Sequence, residues 1–111
     1  MSLNVADKLS KEGFSLEVID IRSLVPLDRE TILKSVRKTG KALVVHEDKV
    51  FGGFGGELAS MIGEFAFETL DGPVRRVGSS FTPIGFNKIL EAAILINEEK
   101  IFDAALQLLK Y

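Results

Sequence analysis

The sequence contains one histidine, His46, at the carboxyl end of an apolar run and beside Glu47 and Asp48. An imidazole next to carboxylates at a strand end has the residue types for proton transfer, and α/β proteins often place ligands at that end of a strand. Proton transfer would need a nucleophile or a second acid–base group nearby, and no residue in the sequence identifies itself as one. The expectation for His46 is therefore a hydrogen-bonded histidine at a packed edge. A glycine-rich segment follows, from Asp48 to Gly56, and leads into a helix start. Backbone N–H groups and the helix dipole there could hold an anion. The segment lacks the third glycine of the dinucleotide pattern, since Leu58 occupies that place, and no Gly-Lys-Ser/Thr follows it. The glycines are expected instead to permit positive φ and close approach of another backbone. Phe51 and Phe54 suggest that the loop packs on a surface, such as another subunit.

The remaining polar residues carry weaker signals. Glu47 and Asp48, like Glu17 and Asp20, point to opposite faces of an extended chain, so they read as solvated charges and not as metal ligands. Ser79-Ser80 has no base in reach of the pattern expected for a nucleophile elbow. One of Arg75 and Arg76 must face inward or reach an edge, where pairing with Asp20 or Glu47 would hold it. Lys34, Arg37, Lys38 and Lys41 cluster at a helix end, where cations complement the dipole. The absence of cysteine excludes disulfides and thiolate chemistry and goes with a cytoplasmic location.

These residues must be positioned by alternating elements. Val5 and Leu9 mark a first helix that ends at Lys11-Glu12-Gly13. Phe14 to Ile21 is rich in β-branched residues and reads as a strand. Asp28 caps a second helix, buried through Ile32, Leu33 and Val36 and stopped at Gly40. Lys41 to His46 reads as a strand covered on both faces. A third helix runs from about Gly55 to Leu70, with Leu58, Met61, Ile62, Phe65 and Ala66 on its apolar face. Val74 to Gly78 is a short strand, Asn87 to Ala93 a short helical piece, and Asn97 caps the last helix.

Such alternation predicts a three-layer α/β/α domain with a mainly parallel sheet. The chain of 111 residues is expected to be one domain, residues 1–111. A strand would ordinarily precede the first helix, so Met1-Ser2-Leu3 reads as a start joined to a fragment of a longer chain. With 14 basic and 16 acidic residues, the charge of −2 does not suggest nucleic acid or an anionic membrane as a partner. No apolar run reaches the ~18 residues of a membrane span.

Three segments together carry a family resemblance. Glu17 to Asp28 (EVIDIRSLVPLD) looks like the "EVIDLRTLxPxD" stretch of transketolase C-terminal-type domains. His46-Glu47 with Gly52 to Ala59 resembles their "(H/E)E…GGFGxEI" loop and helix, and Pro73 to Gly78 with Thr82-Pro83-Ile84 resembles their "APVxRVxGxDTPxP" strand and loop. The segments occur in the family's order and cover nearly the whole chain. Within the family, the sequence is most similar to β subunits, or β halves, of thiamine-diphosphate-dependent 2-oxoacid dehydrogenases. His46-Glu47 and the terminal Tyr111 lean toward the branched-chain (2-oxoisovalerate) type.

The resemblance implies an assembly domain of an oxidoreductase that is inactive alone. Thiamine diphosphate and magnesium would belong to the parent enzyme and no cofactor to this chain, because the family's catalytic residues lie in other domains. Implied partners are the other domains and subunits of the dehydrogenase, the lipoyl acyltransferase subunit, and further copies of the chain. On this basis Phe51, Gly52, Gly53, Phe54, Gly55, Gly56 and Tyr111 are expected at subunit interfaces. The sequence departs from the family at Phe81, where Asp is usual, and at Gly85-Phe86, where Pro-Tyr is usual. The family's strand before the first helix is also absent. The strands at Leu16–Ile21 and Leu43–Glu47 would then lose a shared neighbour, and either close up on each other or recruit strands from a second copy. A free-standing domain that binds an anion at Gly52–Gly56 is the alternative function.

Overall fold

A computed structural model describes residues 1–84 and 86–111, so Gly85 of the divergent Gly85-Phe86 pair lies outside the described residues. The elements in order are α1 (Ser2–Lys11), α2 (Arg29–Thr39), β1 (Leu43–Lys49), α3 (Phe54–Ala66), β2 (Arg75–Ser79), α4 (Lys88–Ile94) and α5 (Glu98–Leu109), with a 3₁₀ turn, Phe67–Thr69, after α3. Three helix starts are set by side chains. Asp28, Asn87 and Asn97 each accept the N–H three residues on, from Thr31, Leu90 and Lys100, which satisfies one of the orphan donors of a helix end. α2 stops at Gly40, whose φ of 74° is left-handed.

β1 and β2 pair in parallel, Val44 opposite Arg76 and Val45 opposite Val77. Each face of this sheet is covered, because successive side chains of β1 point to opposite sides. Val44 joins Ile32, Leu33, Val36, Leu58, Met61 and Ile62 in a core shared with α2 and α3. Leu43 and Val45 point the other way, toward Val5 and Leu9 of α1 and Ile101 and Ala105 of α5, where Val77 also lies. The three expected layers are present. Leu9, with none of its surface exposed, is the most deeply buried residue of the second core. The α1–α5 layer is tied at its rim by Glu98, which accepts from Asn4 Nδ2 at 2.7 Å and Lys8 Nζ at 3.0 Å. The Asn4 amide first, and then Lys8, hold the Glu98 carboxyl below its ordinary range.

The strand expected from Phe14 to Ile21 is not formed. The segment enters no ladder among the described residues, where the sheet has two strands, β1 and β2. A strand exists through the partner that takes its backbone N–H and C=O groups, and β-branched composition alone supplies none. Side-chain anchors hold the segment instead. Phe14 and Leu16 pack on the α1–α5 core, Ile21 packs on the α2–α3 core, and Glu17 accepts from Ser35 and Lys38 of α2. Among the described residues it does not close up on β1, which removes the first of the two arrangements expected above. Phe65 is a second correction. It is 45% exposed and not on the buried face of α3, with the Arg29 guanidinium 4.5 Å from its ring centroid.

Candidate functional site around His46 and the glycine turn

In a parallel sheet all strands end on one side, and here that side carries the segment linking β1 to α3. His46 lies within β1, and its ring turns into the concavity of this segment. Gly53, Gly55 and Gly78 surround the imidazole. A Cβ placed on Gly53 would lie 2.8 Å from His46 Cε1, one on Gly55 2.6 Å from Cδ2, and one on Gly78 3.1 Å from Nε2. Real Cβ atoms need more space than the first two distances leave, so the ring occupies the volume these glycines open. Gly53 has φ −81° and ψ 165°, an ordinary extended conformation. Its side chain is excluded by close approach and not by backbone strain. Gly52 differs: its φ of 77° is left-handed and its surroundings are open.

Both ring nitrogens of His46 are buried, and neither has a hydrogen-bond partner among the described residues. The expected hydrogen-bonded edge histidine is thus corrected to a packed, unpartnered one. The walls of the cradle are glycine backbone and the side chain of Val50, and no carboxylate is hydrogen-bonded to the ring. Glu47 and Asp48 point outward and are exposed. The imidazole packs against the backbone of these glycines. The ring takes up the space beside Gly53 and Gly55, while the surroundings of Gly52 stay open. Unshared polar groups nearby are used for closure of the turn. Arg76 Nη1 donates to Val50 O at 3.0 Å, Ser79 donates to Glu47 O, and Val50 N–H donates to Ser79 O at 3.1 Å. Both Arg75 and Arg76 are exposed and neither pairs with Asp20 or Glu47 among the described residues. Asp20 pairs with Arg22 instead, at 3.5 Å.

The residues expected at interfaces do not form one patch. Phe54 is half-buried against the α2–α3 core, and Gly53 and Gly55 serve the His46 cradle. Phe51 alone of the turn presents a large exposed side chain. It meets Phe81 edge-on, ring centroids 4.9 Å apart, and Lys49 Nζ lies 5.9 Å from the Phe81 ring and donates to Thr82 O. Tyr111 is exposed at the opposite end of the sheet, beside Gly72 in the turn that precedes β2. Phe81 is the residue sequence reasoning missed, although its replacement of a usual Asp was a visible signal. Grooves on the described surface lie elsewhere, one between α2 and α3 near Arg29 and Glu57, the other under Ile19 and Ile21. No group of three His, Cys, Asp or Glu residues among the described residues could hold a metal ion, and no described helix is long and apolar enough to cross a membrane.

Comparison with known proteins adds a lineage to this geometry. Residues 1–101 match the family Transketolase, C-terminal domain. Over 109 residues the chain is 40% identical to the pyruvate dehydrogenase E1 component subunit beta of Cyanidium caldarium, covering 98% of this chain and 33% of that one. It is 43% identical over 100 residues to the mitochondrial 2-oxoisovalerate dehydrogenase subunit beta 2 of Arabidopsis thaliana, covering 90% of this chain and 27% of that one. A solved structure, a split gene transketolase described as an inactive beta4 tetramer, superposes with a TM-score of 0.73 at 30% identity, over 97% of this chain and 34% of its own. The chain spans about a third of the length of the curated relatives it matches.

Proposed function

We propose a function from the premise that the chain belongs to the transketolase C-terminal domain family: it is the assembly domain of a thiamine-diphosphate-dependent 2-oxoacid dehydrogenase and has no catalytic role of its own. Residues 1–111 act as one domain within that enzyme. The parent takes a 2-oxoacid, decarboxylates it on thiamine diphosphate with magnesium, and passes the acyl group to a lipoyl arm. Relatives named as pyruvate and 2-oxoisovalerate dehydrogenase β subunits support this class.

The observation that carries the assembly role is the Phe51–Phe81 pair. Two phenylalanines, each about 70% exposed, stand together at the tip of an otherwise well-packed turn. Apolar surface of that kind at the rim of a domain marks a contact with another chain. Its partners are other domains and subunits of the dehydrogenase, including the lipoyl acyltransferase subunit, in a cytoplasmic complex. Of the interface residues expected from sequence, Phe51 and Gly52 serve this contact, Gly53 to Gly56 support it from beneath, and Tyr111 marks a separate contact at the other end.

The cofactor is assigned to the rest of the parent because the family resemblance places the residues that bind and activate it in other domains. The experiment that tests this is thermal unfolding with inorganic phosphate, and separately with thiamine diphosphate and magnesium. A site at ten times its Kd would contribute about 1.4 kcal/mol, roughly 6 to 10 °C for a domain of this size. The assembly reading expects no shift beyond about 1 °C. A rise of several degrees with phosphate would replace it with the anion-binding function.

A further inference from the structure

Residues 15–26 have no backbone support. Phe14 N–H donates to Leu9 O at 3.0 Å before them, and Leu27 O accepts from Arg29 N–H at 2.9 Å after them. Between these two bonds no backbone N–H or C=O meets another backbone group among the described residues. Side chains do the holding. Phe14 and Leu16 sit half-buried on the α1–α5 core, and Ile21 sits half-buried on the α2–α3 core. Between those two seats Glu17 accepts from Ser35 Oγ and from Lys38 Nζ, both on α2. From Arg22 to Pro26 no side chain is seated in either core, and Val25 is 90% exposed. The pair of Asp20 with Arg22 lies within the segment and ties it to no other element.

We infer that residues 15–26 form a strap that lifts off α2 as a unit while both cores stay closed, with the clamp of Glu17 on Ser35 and Lys38 as its latch. Local opening costs what it breaks, namely backbone hydrogen bonds and buried apolar contacts. The strap breaks none of the first and, of the second, only the seats of Leu16 and Ile21. The elements beneath it would break far more. α2 carries a full set of helical bonds and buries Ile32, Leu33 and Val36, and β1 is bonded along its length to β2. The strap also has something to uncover. It forms the outer wall of a groove of about 260 Å³, with Ile19, Ile21 and Pro26 on one side and Thr31 and Ile32 at the start of α2 on the other. Lifting it removes that wall and bares Ile32, which is 7% exposed when the strap is down. The latch is an exposed ion pair with a hydroxyl beside it, so it biases the opening modestly and is weakened by salt.

This strap is independent of the assembly reading, which stands or falls on other residues. Trypsin acting on the purified chain under native conditions tests it, because Arg22 lies on the strap with its side chain 87% exposed. Cleavage of a transiently opened segment tracks the population of the open form. The cut after Arg22 should therefore run at least about tenfold faster than the cuts after Arg37 of α2 and Arg76 of β2. Lys38→Met removes the charged half of the latch. It should speed the Arg22 cut about two- to fivefold and leave the Arg76 cut and the circular dichroism spectrum unchanged. Hydrogen exchange gives a second reading without any substitution: amides from Val18 to Leu24 should exchange within about tenfold of an unstructured chain, while those of Leu33 and Val36 stay protected. The strap is overturned by an Arg22 cut no faster than the Arg76 cut, or by amides from Val18 to Leu24 as protected as those of α2. A Lys38→Met chain whose cuts all speed up together, or whose Arg22 cut does not change, overturns the latch.

Discussion

Replacing Gly53 with alanine is expected to cost about 3 kcal/mol of stability, an overpacking loss at the upper end of the usual range, and to lower the melting temperature by roughly 15 °C. The new methyl group would be driven into the carbonyl oxygen of Lys49, far inside van der Waals contact, and would also lie 2.8 Å from His46 Cε1. The carbonyl belongs to the backbone at the end of β1 and cannot rotate away. Gly53 itself is fixed as the residue that opens α3, its carbonyl accepting from Gly56 N–H at 3.1 Å. Relief would therefore require moving either the strand end or the helix start. Urea unfolding of the variant against the parent chain measures the loss. A change below about 1 kcal/mol, the size of an ordinary surface substitution or less, would mean that the turn does not close on Lys49 as described.

The second large effect is a coupling. Gly55→Ala meets only the His46 side chain, 2.6 Å from Cδ2, with no other atom among its nearest contacts. Alone it should destabilise by about 2 to 3 kcal/mol, because the enclosed ring has no room to shift. His46→Ala should cost less than a typical buried ring. It forfeits packing, but it also removes two buried nitrogens that lack partners, each of which carries a desolvation penalty of about 1 kcal/mol or more. Together the two substitutions should recover at least about 1 kcal/mol relative to their sum, since the methyl group then occupies space the ring has left. His46→Ala should not rescue Gly53→Ala to the same degree, because the Lys49 carbonyl remains in place. Additive losses in the Gly55 cycle would show that the ring does not fill the turn.

These two predictions concern the part of the site that the sequence made partly legible. Close approach of backbone was readable from the density of glycines, and φ above zero at Gly52 and Gly40 was readable from their places after a strand and after a helix. What filled the concavity was not readable. His46 is seven residues from Gly53 and thirty-two from Gly78, and only the pairing of β1 with β2 brings Gly78 to the ring. The three cap residues were legible because an N-cap is local, decided within three residues. Phe14 to Ile21 was misread for the opposite reason, since ladder formation depends on a partner that the segment's own composition does not report. Phe65 shows the limit of helical spacing: it keeps the apolar period of α3, yet Arg29 of α2 covers it and the core does not. The exposure of α4 was hidden by that ambiguity too, because Ile89 and Leu90 have the composition of core residues and yet stand exposed.

The resemblance supplied what the residues could not. Nothing in the chemistry of His46, Arg76 or the glycine turn points to 2-oxoacids. The contact is proposed from the exposed aromatic pair, and membership of the family gives that proposal a setting. The central claim is therefore that this domain works as part of a larger polypeptide. The nucleotide sequence directly upstream of the Met1 codon in the native gene tests it most directly. The account predicts an open reading frame that continues upstream into a thiamine-diphosphate-binding domain. An in-frame stop codon and a ribosome-binding site immediately before Met1 would contradict it and make this chain an independent small protein.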